Sequence, residues 1–177
     1  MHARGQGIHS GLFLCYFISM KNFISMKKIL IEYLYLDLKT CDRCVGTDAV
    51  LDKVVEGLEP ALSLAGYQIE YRKQEISTPE LAEKFHFLSS PTVRVNGHDI
   101  FGKIKETGCS CCGDIAGTHV DCRAYEDEGK TLEVPTEEML ADAILRAVYN
   151  PSGCSCGTYK LPSNLKRFFV GKKRKAL

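Results

Sequence analysis

The chain has almost no net charge, no tryptophan and no apolar run long enough to span a bilayer. Lys and Arg number 23 against 22 Asp and Glu, so the formal charge of +1 gives no global attraction to nucleic acid or an anionic membrane. The apolar stretch Gly11 to Met20 is only about half of the roughly 20 residues a transmembrane helix needs. A glycine-rich phosphate cradle and a hydrolase serine elbow are both absent from the sequence, and no whole structural unit repeats. With 177 residues, 45% of them hydrophobic, the chain suits one globular domain with its own core.

Cysteine, by contrast, is plentiful. There are nine, an odd number and clustered, which fits a secreted disulfide scaffold poorly and suits redox exchange or soft-metal binding in a reducing compartment. Cys41/Cys44, Cys109/Cys111/Cys112 with Cys122, and Cys154/Cys156 form three groups, and Cys15 stands alone. Cys41-Asp42-Arg43-Cys44 carries the strongest signal, because it follows the apolar run Ile29 to Leu38 and opens an amphipathic segment. At a helix start, one sulfur of such a pair can be exposed with the other in disulfide reach, while unpaired backbone N–H groups favour thiolate.

Ile29 to Leu36 reads as a strand buried on both faces. From Cys44 to Gly66, the spacing of Leu51, Val54, Val55, Leu58, Leu62 and Ala65 predicts a helix that Pro60 should bend or split. Tyr67 to Ile76 predicts a second strand, parallel to the first. A short helix follows, with Ser77 and Glu80 at capping-box spacing. The segment from Ser89 to Phe101 predicts a proline-led hairpin turning at Asn96-Gly97. Residues 102–135 read as a glycine- and cysteine-rich insertion before a last helix capped by Thr136. Residues 1–25 read as a leader or start-site artefact, with a secretory signal as the alternative, and 151–177 as a basic, cysteine-containing tail.

The order strand, Cys-x-x-Cys, helix, strand, helix, Pro-Thr-Val hairpin, helix resembles the thioredoxin fold over about Met26 to Asn150. The cysteine-rich insertion brings the resemblance closest to a prokaryotic thioredoxin-like family of unknown function. The expected architecture is therefore α/β, a central mixed sheet flanked by helices. The resemblance implies a thiol-disulfide oxidoreductase in which Cys41 attacks, Cys44 resolves, and Pro91 and Thr92, in a cis-proline loop beside the dithiol, help bind substrate backbone. Such exchange needs no cofactor; its partners would be a protein or small-molecule disulfide or dithiol and an unidentified electron donor, in the cytoplasm unless the leader exports the chain. Asp42-Arg43 replaces the Gly-Pro of thioredoxin itself. Asp37 stands where it would serve as the proton-transferring acid or simply as a solvated side chain.

A second reading uses the fold only as a scaffold. Cys109, Cys111, Cys112 and Cys122 supply enough sulfur for a tetrahedral thiolate site, with His119 as an optional ligand, for zinc, copper, mercury or trivalent arsenic. A second redox relay and plain disulfide stapling are the alternatives for these four. Cys154 and Cys156 read as solvated tail thiols or as a mobile delivery arm. His86 and His98 read as surface histidines, and Lys172 to Lys175 as a disordered solubilising run with no nucleic acid expected.

Overall fold

The computed structural model describes residues 26–150 and 158–176. The leader, Cys15, Cys154 and Cys156 lie outside them. The first half follows the sequence closely: β1 (Lys27–Tyr35), α1 (Asp42–Leu64), β2 (Tyr67–Glu75), α2 (Pro79–Lys84), β3 (Thr92–Val95) and β4 (His98–Asp99). The sheet order is β2-β1-β3-β4, with β1 parallel to β2 and antiparallel to β3, so this is a mixed α/β architecture with β1 inside a mixed sheet. The β3–β4 turn is two residues long. Asn96 and Gly97 both take positive φ, 51° and 82°, the backbone that a tight right-twisted hairpin requires.

Side chains alternate across β1 into two cores. Ile29, Ile31 and Tyr33 pack with Leu51, Val54, Val55 and Leu62 of α1, and with Leu140 and Ile144 of α4 (Glu137–Tyr149). Leu34 and Leu36 join a second core that contains the cysteines. Burial on both faces thus holds only toward the C-terminal end of the strand, since Leu30 and Glu32 stay partly exposed. Helix α1 does not split at Pro60 but runs on to Leu64. The proline lies on the exposed side, where the carbonyl it leaves unpaired can reach water. Thr78, rather than Ser77, caps α2, its hydroxyl accepting the Leu81 amide at 3.3 Å.

Residues 102–135 are not a loop. They fold into β5 (Lys105–Gly108), α3 (Ser110–Ala116), β6 (Asp121–Asp127) and β7 (Lys130–Leu132), a three-stranded antiparallel sheet in the order β5-β6-β7 with a one-helix excursion. These strands are short and carry Lys, Glu, Thr and Asp at most positions, so alternation gives them no signature. The expected disordered run at Lys172 to Lys175 is also overturned: it ends α5 (Ser163–Lys175), an amphipathic helix that buries Leu165, Phe168 and Phe169 against the cysteine core. Its approach to α3 is close, since a Cβ on Gly171 would lie 2.0 Å from the Ala116 carbonyl oxygen.

Candidate functional site

Two helix starts meet in the second core. Cys41 is the N-cap residue of α1 and Cys109 that of α3, both in extended backbone, and Cys44 and Cys112 follow three residues on in the respective first turns. Cys109-Ser110-Cys111-Cys112 therefore contains a second Cys-x-x-Cys at the same structural position as the first. That spacing was present in the sequence, hidden by the extra cysteine at 111. The Cys41 sulfur lies 4.0 Å from that of Cys109 and 3.6 Å from that of Cys112. All three sulfurs fall within 4.8 Å of one another, forming a group able to hold a metal ion. Cys122, on β6, is buried beside them, its thiol bonded to the cluster but outside the group whose sulfurs all lie within 4.8 Å of one another.

The grouping differs from the expected division between a Cys41/Cys44 pair and a Cys109/Cys111/Cys112/Cys122 site. Cys41 joins the insertion cysteines. Cys111 turns outward, half-buried, toward Asp42 Oδ2 at 3.5 Å. Cys44 stands at the edge, its sulfur 3.4 Å from Ser90 Oγ. His119 is exposed and bonded to Asp121 at 2.9 Å, facing away from a ligand role toward its own carboxylate partner. Cys41 and Cys44 both have 0% exposure, so neither sulfur is presented at the surface.

Charge is shared unequally within the cluster. Hydrogen bonds from the thiols of Cys109, Cys112, Cys122 and Cys44 hold Cys41 well below the usual thiol range, overcoming the opposing effect of burial. Cys109 is drawn down to about 7, chiefly by its bond with Cys112. The others move upward: Cys44 through its bond to Cys41 and then burial, Cys112 and Cys122 through their bonds to Cys109. The cluster thus gathers its negative charge on Cys41, and next on Cys109, and keeps Cys44, Cys112 and Cys122 as neutral thiols.

The walls are built by residues whose roles differ from their sequence reading. Asp37 is committed to the loop before Cys41, its Oδ1 accepting the amides of Lys39, Thr40 and Cys41 and the Thr40 hydroxyl. Those bonds hold its carboxyl below the usual range although partial burial pushes the other way. Arg43 is 3% exposed and clamps the insertion to α1. Its guanidinium donates to the carbonyls of Thr107, Gly108 and Cys122 at 3.1, 2.6 and 3.1 Å, to Thr107 Oγ1, and to Glu133. Charge alone gave no hint of this fork-shaped role.

Pro91 and Thr92 are buried, and the Ser90–Pro91 peptide is cis. Thr92 Oγ1 donates to the Ser89 carbonyl at 2.6 Å, and the Ser90 hydroxyl accepts the Leu36 amide at 3.1 Å. The Ser90 carbonyl accepts the Arg123 amide at 2.7 Å. The carbonyl directly before Pro91 is therefore bonded to the chain's own β6.

These features define a mixed α/β protein with a buried, cysteine-lined centre. Residues 29–144 match the family described as Domain of unknown function (DUF2703), and the chain belongs to that family. It is 34% identical over 118 residues to an uncharacterized protein of Archaeoglobus fulgidus, a match covering 64% of this chain and 82% of the relative. No solved structure matches it. Among the described residues no helix is long and apolar enough to cross a membrane.

Proposed function

We propose that this protein binds a thiophilic metal ion through Cys41, Cys109 and Cys112, with Cys122 as the fourth sulfur. The observation that carries the reading is the convergence of three buried sulfurs from two helix starts. In a tetrahedral thiolate site with metal–sulfur bonds of about 2.3 Å, neighbouring sulfurs are about 3.8 Å apart. The separations from Cys41, 3.6 and 4.0 Å, straddle that value. Binding would deprotonate the neutral thiols and replace a crowded hydrogen-bonded cluster by metal bonds. The long helix α1 points its N-terminus at the cluster and offsets part of the anionic charge. Soft ions suit the donor set: zinc, copper(I), mercury(II) or trivalent arsenic.

The order of elements up to α4, the sheet order β2-β1-β3-β4 and the dithiol at the start of α1 support a thioredoxin-like scaffold carrying a folded insertion. Thiol-disulfide exchange by Cys41 and Cys44 is the second reading, favoured by Cys44 resting against Ser90 in the Pro91 loop. Full burial of both sulfurs and the Arg123 amide on the Ser90 carbonyl weigh against a protein disulfide as its substrate.

The test is anaerobic titration of the reduced protein with cobalt(II) and zinc(II), with metal content measured after desalting. One equivalent per chain and sulfur-to-cobalt charge-transfer bands are expected, both lost in Cys112→Ser. No retained metal in the parent, or full retention after joint replacement of Cys109, Cys112 and Cys122, would refute the reading. A disulfide reductase assay on Cys41→Ser separates the second reading, which requires a metal-free parent rate that the variant lacks.

A further inference from the structure

We infer that the metal site is gated by oxidation, Cys44 acting as the thiol that withdraws Cys41 from the metal. The inference rests on the metal-binding reading and adds its regulation. Cys41 belongs to two structures at once. It is the ligand that α1 contributes to the group with Cys109 and Cys112, and it is the first cysteine of the dithiol completed by Cys44. Cys44 itself lies outside that group, with its sulfur on Ser90 Oγ at 3.4 Å.

A sulfur joined to Cys44 is no longer a thiolate and cannot ligate, so the two states exclude one another. The geometry makes the exchange local. The two cysteines stand three residues apart at one helix start, the arrangement of a Cys-x-x-Cys dithiol, and Cys41 is in extended backbone outside the helix proper. The exchange asks Cys41 to turn its side chain from Cys109 and Cys112 toward Cys44. The loss falls at a sensitive place, since Cys109 and Cys112 both stand at the start of α3 and only Cys41 ties that group to α1.

The chemistry needs a small two-electron oxidant able to enter a closed core, and hydrogen peroxide is of that class. The Cys41 thiolate attacks one peroxide oxygen, forming Cys41 sulfenic acid and releasing hydroxide. The Cys44 thiol then displaces the sulfenic oxygen, which leaves as water, and the Cys41–Cys44 disulfide forms. Two electrons pass from the two sulfurs to one peroxide, and the metal departs to a solution acceptor. A dithiol reductant returns both thiols and restores the site.

The experiment uses the full chain loaded with one zinc, treated with stoichiometric peroxide in the presence of a chromogenic zinc chelator. Disulfides are mapped by alkylation and mass spectrometry. The parent is expected to release its zinc in step with the Cys41–Cys44 disulfide and to take it up again after reduction. Cys44→Ser and Cys44→Ala are expected to bind zinc as the parent does but to release it at least tenfold more slowly. Release from both variants at the parental rate, or a disulfide joining Cys109 to Cys112 instead, would overturn the gate while leaving metal binding standing. A parent chain that takes up no zinc at all would overturn both.

Discussion

Replacing Arg43 with alanine should be among the most damaging single changes that leave every cysteine in place. The guanidinium serves three backbone carbonyls of the insertion. Two of them, from Thr107 and Cys122, belong to partly or fully buried residues, whereas Gly108 is exposed and can turn to water. A hydrogen bond to a charged donor contributes about 1.5–3 kcal/mol net, so two lost from these surroundings give at least about 3 kcal/mol. Glu133 adds little, because it is 65% exposed and resolvates. For a chain of this size, 3 kcal/mol lowers Tm by about 6–12 °C. Thermal melting of the reduced, metal-free protein measures this directly. Zinc affinity should fall with it, since the lost bonds hold Cys122 itself and the residue before Cys109. Arg43→Lys should recover only part of the loss, an ammonium being unable to serve that spread of acceptors from one plane. An Arg43→Ala protein that melts within 2 °C of the parent would refute the clamp.

Two further expectations test the walls of the site. Gly171→Ala drives a methyl group against the Ala116 carbonyl, a backbone atom that cannot move aside, and should cost at least the 1–3 kcal/mol typical of overpacking; unchanged melting would show that α5 does not lie against α3 as described. Cys111→Ser should retain one zinc per chain while Cys112→Ser loses it, because only the latter sulfur belongs to the buried group; equal loss in both would place the metal elsewhere.

The part of the fold built on strong periodicity was legible. The stripe from Leu51 to Leu62, the alternation in β1 and β2, and the Asn96-Gly97 turn each impose a local geometry that tertiary packing then kept. The insertion was not, because β5 is stabilised by pairing and by Arg43, and β7 by pairing, rather than by their own side-chain pattern. For α5 the signal existed: Leu165, Phe168 and Phe169 stand at helical spacing after Pro162-Ser163, but the dense positive charge that follows masked it. The cysteines were legible as chemistry and illegible as a set. Which sulfurs share a site depends on how α3 docks on the start of α1, a contact between residues 68 apart in sequence.

The covering of the thiol core by α5 carries a consequence for biogenesis. Phe168 and Phe169 close that core, yet they lie about 50 residues beyond Cys122 and are synthesised last among its parts. At translation rates of about 5–20 residues per second, the four cysteines precede their lid by roughly 3–10 s. During that interval the four thiols lack the cover of α5, so on the proposed reading a metal ion taken up before α5 docks is enclosed when it does.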